Sequence, residues 1–181
     1  MDKTDRKRLL IAEALNDLLK TRPIGQVTVV DLCEEAGISR STFYAYFDDI
    51  YAIGEWLWER EFRSIFEGLG REYGYRECYR RLYERLREVG ARVGQVRPMR
   101  DLSGGDTYAQ TNTLVVLAAR LEACLGRKLT PDERERLSYA SCAEEAVTLK
   151  WFADGMRPDA ARMADIVAEM APQFMKDALG E

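Results

Sequence analysis

The chain has 181 residues, 46% hydrophobic and 32% charged, with a net charge of −4. That length suits one compact domain or two small ones sharing a long helix, and no apolar run of about 18 residues marks a membrane span. Proline is scarce, at five residues, and long stretches lack glycine or proline; this speaks against an all-β chain and predicts an all-α fold.

The opening MDKTDRKRLL is charged and has no apolar stretch with a cleavage site, so no secretory signal is expected and a cytoplasmic location is. Cys33, Cys78, Cys124 and Cys142 are scattered without a C-x-x-C pair, and there is no histidine. Reduced buried thiols are expected, with no metal and no cofactor. Without histidine the commonest general base is missing, which speaks against an enzyme. Glu34-Glu35 and Glu144-Glu145 are sequence neighbours that point about 100° apart on a helix. They read as solvated faces rather than acid–base pairs.

A first helix is predicted from Thr4 or Asp5 to about Lys20, with a stripe of Leu10 or Ile11, Ala14, Leu15, Leu18 and Leu19. Lys3, Arg6, Lys7 and Arg8 crowd its start, the end where the helix dipole prefers anions. Phosphate contact and a solvated tail both account for them. Pro23 and Gly25 break this helix. The stretch from Thr28 to Phe47, TVVDLCEEAGISRSTFYAYF, then reads as two short helices around a tight turn. Thr28 is an N-cap, with Asp31 placed to complete a capping box. Val29, Leu32, Cys33 and Ala36 form one buried face, and Gly37 ends the helix in a left-handed residue. Ser39 caps a second helix, Arg40 to Tyr46. Phe43 and Phe47 share its inner side, leaving Arg40, Ser41, Thr42, Tyr44 and Tyr46 more outward. This is the layout of a DNA-binding helix-turn-helix.

Asp48 or Asp49 caps a long helix at about 50–69, whose apolar face includes Tyr51, Trp58, Phe62, Ile65 and Leu69. A helix from about Tyr75 to Val93 follows, then a loop from Gly94 to Asp106 with Pro98 and Gly104-Gly105. Asp106 or Thr107 starts the next helix, which Gly126 ends. Thr130-Pro131-Asp132-Glu133 is a cap, a first-turn proline and an acid in sequence; its helix runs to about Asp154. Pro158 opens a last helical region, bent at Pro172.

The residues Thr28-Val29, Asp31-Leu32, Ala36-Gly37-Ile38-Ser39, Thr42-Phe43-Tyr44 and Tyr46-Phe47 resemble the tetracycline-repressor (TetR) family of bacterial transcription regulators. Pro23-Ile24 and Cys33 look most like the branch that includes regulators near dihydroxyacetone kinase genes. Val147 to Val167, with Lys150-Trp151-Phe152 and Asp154-Gly155-Met156, resembles the C-terminal body of that branch. The resemblance implies a head at 1–47 that binds double-stranded DNA, and a body at 48–181 that dimerises and holds a small-molecule effector. It implies a repressor acting as a homodimer on a pseudo-palindromic operator.

Carried over by position, the DNA-binding residues are Thr28, Ser39, Arg40, Ser41, Thr42, Tyr44 and Tyr46. Arg40 has the fork that suits guanine O6 and N7, and Thr28 matches a phosphate-gripping position. For Tyr44 and Tyr46 a partly buried core ring stays open beside a backbone contact. The effector pocket is expected to involve Trp58, Phe62, Tyr79, Tyr83, Tyr108 and Thr111, which mix apolar walls with hydroxyls. The dimer is expected through the last two helical regions, with Ala140, Ala143, Ala146, Met163, Val167 and Met170. The chain departs from the family at Val30, Ala45 and Ile50, where basic residues are common. Residues 1–47 hold seven Lys/Arg and seven Asp/Glu, unlike the basic face expected of a DNA binder. The rival reading is a helical protein-interaction module with a degenerate head.

Overall fold

The computed structural model describes residues 3–89 and 108–180, with side chains from 4 to 89 and from 113 to 180. The expected loop at 94–106 and the caps Asp106 and Thr107 lie outside the described residues. Among the described residues there are nine α-helices and no strand beyond one isolated bridge, Leu69 to Tyr73. They are α1 (Lys3–Leu19), α2 (Val29–Ala36), α3 (Arg40–Tyr44), α4 (Tyr51–Gly68), α5 (Tyr75–Val89), α6 (Tyr108–Leu125), α7 (Pro131–Ala153), α8 (Ala160–Met170) and α9 (Gln173–Leu179). The fold is all-α, as the sequence predicts. No described helix is long and apolar enough to cross a membrane.

The chain parts into two compact units, with the division inside α4. The first, at 3–60, is built on the α1 stripe. Ile11 and Leu15 are fully buried against Leu32, Phe43 and Ile53, while Leu10 faces out. Helix α1 already includes Lys3, so Thr4 and Asp5 sit in its first turn rather than at its cap; end assignments of this kind shift by a residue or two. A single 3-10 turn, Ile24–Gln26, joins α1 to α2. Asp49 Oδ1 accepts the N–H of Ala52 at 2.8 Å and so caps the start of α4.

The second unit, at 61–88 and 108–180, gathers α5 to α9 around Leu82, Leu86, Leu117, Leu121, Leu137, Trp151 and Met175, all buried. The turn between α6 and α7 is tied by charge. Thr130 Oγ1 accepts the Glu133 N–H at 3.2 Å, and Glu133 accepts the Thr130 N–H at 2.8 Å. Arg127 forks onto both oxygens of Glu133 at 2.8 and 2.7 Å. Asp159 caps α8 by accepting the Arg162 N–H at 2.9 Å.

The expected bend at Pro172 is a full break. Ala171 is extended (φ −63°, ψ 137°), as a residue before proline tends to be, and α9 starts afresh at Gln173. Met163 and Val167, expected at a dimer contact, are buried in this unit's own core, whereas Met170 is exposed. An apolar stripe has the same sequence whether a neighbouring helix or a second subunit covers it.

The Arg127 fork and the Thr130 N–H hold the Glu133 carboxyl at about 2, well below its ordinary 4.5. A depressed folded pKa gives stability that is present above about pH 4.5 and is lost as pH falls toward 2. Glu133→Gln is therefore expected to flatten that part of the acid-unfolding profile while leaving the neutral-pH helical signal intact. Circular dichroism against pH for both proteins checks this.

Candidate functional site

In the head, the start of α2 is closed by a reciprocal box. Thr28 Oγ1 accepts the Asp31 N–H at 3.2 Å, and Asp31 Oδ2 accepts the Thr28 N–H at 2.8 Å. The Thr28 hydroxyl donates to the same oxygen at 2.6 Å, and Arg22 pairs with Oδ1 at 3.2 Å. The Thr28 hydroxyl, its N–H and then Arg22 hold the Asp31 carboxyl below the usual carboxylate range. Helix α2 ends at Gly37, left-handed at φ 61° and ψ 38°, and the Ile38 N–H closes onto Cys33 O at 2.9 Å. Ser39 Oγ then accepts the Thr42 N–H at 3.1 Å and lies 2.8 Å from Ser41 Oγ and 2.9 Å from Thr42 Oγ1. Arg40 and Ser41 are exposed at the start of α3, Thr42 is half-buried, and Phe43 is fully buried. Tyr44 is exposed and edge-on to Phe43 at 5.3 Å, while Tyr46 is half-buried against the core. Phe47 packs inward beside Phe43.

The charges sort in a way that sequence spacing does not reveal. Lys20 pairs with Asp17 at 2.6 Å and Arg22 with Asp31. Arg8 turns inward, its guanidinium over the rings of Phe47 (5.7 Å) and Trp56 (6.0 Å), its Nε buried without a hydrogen-bond partner. That removes Arg8 from any phosphate-facing group. Of the other head cations with described side chains, Arg6 and Arg40 are exposed, Lys7 is half-buried, and none has an ion-pair partner among the described residues. Val30 and Ala45 are exposed apolar positions, and Glu34 and Glu35 are solvated as expected. The order of helix, left-handed glycine turn and serine-capped helix with an outward polar start is that of a major-groove reader.

The family described as "Bacterial regulatory proteins, tetR family" matches residues 11–53, the same stretch. Over these residues the chain is similar to TetR-family regulators. It is similar to the HTH-type dhaKLM operon transcriptional activator DhaS of Lactococcus lactis subsp. lactis (strain IL1403), 32% identical over 66 residues, 36% of this chain and 35% of that protein. It is also similar to the HTH-type transcriptional regulator EthR of Mycobacterium tuberculosis (strain ATCC 25618 / H37Rv), 47% identical over 49 residues, 27% of this chain and 22% of that protein. The matched sequence thus spans about a third or less of these curated relatives. A solved structure, "Dihydroxyacetone kinase operon activator DhaS", superposes with a TM-score of 0.57 at 19% identity, covering 94% of this chain and 97% of that one. These relatives are named as regulators rather than enzymes.

Of the expected effector residues, Trp58 in the first unit and Phe62 in the second are buried on α4, and the side chains of Tyr108 and Thr111 lie outside the described residues. Tyr79 and Tyr83 are brought together on α5 with a third ring, Tyr75, their centroids 4.6 and 6.4 Å apart along the row. Tyr83 stands edge-on to Trp151 at 5.1 Å. Opposite the row is α7: the Tyr75 and Tyr79 hydroxyls donate to the two oxygens of Glu144. The Tyr83 hydroxyl lies 2.9 Å from Thr148 Oγ1, which itself donates to Glu144 O at 2.7 Å. Burial and then the Glu144 charge push both Tyr75 and Tyr79 well above the ordinary phenol range.

Glu144 and Glu145 are both buried, so the solvated-face reading of that pair is corrected. A carboxylate is tolerated inside when O–H donors replace water around it. Sequence reasoning missed Tyr75, Glu144, Thr148 and Trp151. The signal was there in the tyrosines four apart and in the polar positions 141, 144 and 148 on one helical face. A separate groove of about 550 Å³ lies on the outward side of α5, lined by Gly74, Arg76, Glu77, Arg80, Ala161, Ala164, Asp165 and Gly180. Tyr79→Phe removes one donor from a buried charge, which costs about 1.5–3 kcal/mol. Urea unfolding of the two proteins is expected to show that loss as a lower midpoint at unchanged slope.

Proposed function

We propose that the protein is a DNA-binding transcription regulator that acts as a homodimer, with residues 1–47 reading a pseudo-palindromic operator and residues 48–181 dimerising and binding a small-molecule effector. The observation that carries this is α3: five residues, capped by Ser39, anchored by Phe43, with Arg40 and Ser41 turned outward. Arg40 supplies the guanine fork. The phosphate grip is assigned to the first N–H groups of α2, because the Thr28 hydroxyl hydrogen is committed to Asp31. Two-fold symmetry then sets the recognition helices roughly 34–36 Å apart or at a multiple of that spacing. The match of residues 11–53 to the TetR family model supports this reading, as do the names of DhaS and EthR. DhaS is named an activator, whereas the sequence reading favours repression; a promoter–reporter fusion reads the sign.

The dimer contact is assigned to the outward stripe of α7, where Tyr139, Cys142 and Ala146 are exposed and Ala143 is half-buried, together with exposed Met170 on α8. Tyr139 is 68% exposed, a large ring that a second subunit would cover, and small neighbours allow close helix approach. The effector site is proposed beside Tyr79 and Tyr83, whose rings would supply an aromatic wall while their hydroxyls stay bonded to Glu144 and Thr148.

Two measurements test the reading. Arg40→Ala is expected to weaken operator binding by about 1–3 kcal/mol and to relax preference at one base pair per half-site; a fluorescence titration against selected and scrambled duplexes reads both. The near-neutral head favours the second reading, an interaction module, and equal binding of both proteins to both duplexes selects it. Tyr139→Glu is expected to give a monomer at micromolar concentration by sedimentation, with its helical content kept; an unchanged dimer moves the contact elsewhere.

A further inference from the structure

The large apolar side chains exposed on the described head are Leu10, Val30 and Tyr44. A single exposed valine is ordinary on a protein surface, so Val30 needs more than exposure. Its place supplies one part. It stands two residues past the Thr28 cap, on the turn of α2 that the Thr28–Asp31 box holds rigid. The first helix of a helix-turn-helix crosses the DNA backbone beside the groove that the second helix enters.

The neighbours supply the rest. One turn further along α2 the outward side chains are Glu34 and Glu35, both exposed, and phosphate repels them. Only the first turn can therefore come close to DNA. In that turn the Thr28 hydroxyl donates to Asp31 at 2.6 Å, and Asp31 is paired with Arg22, so neither side chain presents a spare donor to a base. Val30, 45% exposed, is the side chain that projects. A β-branched residue in a helix keeps one preferred rotamer, so its methyls form a fixed apolar knob. The apolar feature of a base edge in the major groove is the thymine C5-methyl group.

We propose that Val30 is a specificity-determining residue that packs on a thymine methyl at the rim of each half-site, adding an A·T preference that a guanine reader at Arg40 does not supply. This rests on the DNA-reading function proposed above. Its loss would leave the Arg40 contact in place.

The test uses the full chain and an operator selected from a random duplex pool. Each thymine of a half-site is replaced in turn by deoxyuridine, which deletes the methyl and keeps the pairing and the groove acceptor. Fluorescence anisotropy then gives affinities for the wild type and Val30→Ala, an exposed change to a better helix former that leaves folding intact. One thymine per half-site is expected to lose about fourfold on methyl removal in the wild type, the worth of one buried methylene-sized group. Val30→Ala is expected to bind the thymine and uracil forms of that site equally. Uracil that is neutral at every position, or a methyl effect that persists in Val30→Ala, overturns the proposal. A selection that returns no sequence above scrambled DNA overturns the DNA-reading function itself, and it does so before any uracil is introduced.

Discussion

The reversal at Gly37 decides what the head can present. At φ 61° and ψ 38° the chain sits in the left-handed region, which costs a residue with a Cβ roughly 1–2 kcal/mol and glycine almost nothing. The Ile38 N–H returns to Cys33 O at 2.9 Å, so α2 ends with its carbonyls satisfied. Ser39 is then already the cap of α3. There is no slack in this connection: Ala36 closes one helix and Arg40 opens the next. The angle between the two helices, and hence where Arg40 points, is set by this one backbone conformation.

Helix α3 has five residues, too few to be stable alone. It holds because Ser39, Ser41 and Thr42 share a hydroxyl network at its start and because Phe43 and Phe47 are buried in the α1–α2 core. The outward surface is thus a by-product of packing on the inward one. The same packing consumes charge. Arg8 is stacked on Phe47 and Trp56, and Arg22 is held by Asp31. A head with seven cations therefore keeps several of them from a phosphate, and the DNA-reading function proposed above would draw more of its discrimination from base-edge and shape contacts than a basic head does.

What the sequence made legible is what four consecutive residues can decide. The Thr28–Asp31 and Thr130–Glu133 boxes, the Ser39 cap and the Gly37 turn all follow from local geometry and appear where expected. The DNA-side candidates Arg40, Ser41 and Tyr44 were legible for the same reason, since their exposure follows from Phe43 facing in. The rest depends on partners far along the chain. Glu144 is buried because Tyr75 and Tyr79, 69 and 65 residues away, donate to it. Met163 and Val167 turned out to face their own unit, and periodicity carries no information on which surface covers a stripe. In the body the sequence singled out Tyr79 and Tyr83 as expected effector contacts but not the acid that accepts from Tyr75 and Tyr79.

That acid constrains more than its own surroundings. The buried face of α7 runs Leu137, Ser141, Glu144, Thr148, Trp151, apolar at both ends and polar in the middle. Apolar residues of similar volume at such a position would often be as stable or more so, so stability alone does not account for a carboxylate there. Register does. Two oxygens of one side chain accept from hydroxyls one helical turn apart on α5, and Thr148, one turn further along α7, meets Tyr83. Sliding α5 along α7 by one turn, about 5.4 Å, would part Tyr83 from Thr148 and unmake at least one of the three hydroxyl contacts. An all-apolar seam would tolerate that slip. The polar row therefore fixes one alignment of the two helices, and it makes that alignment sensitive to anything that competes for the tyrosine hydroxyls.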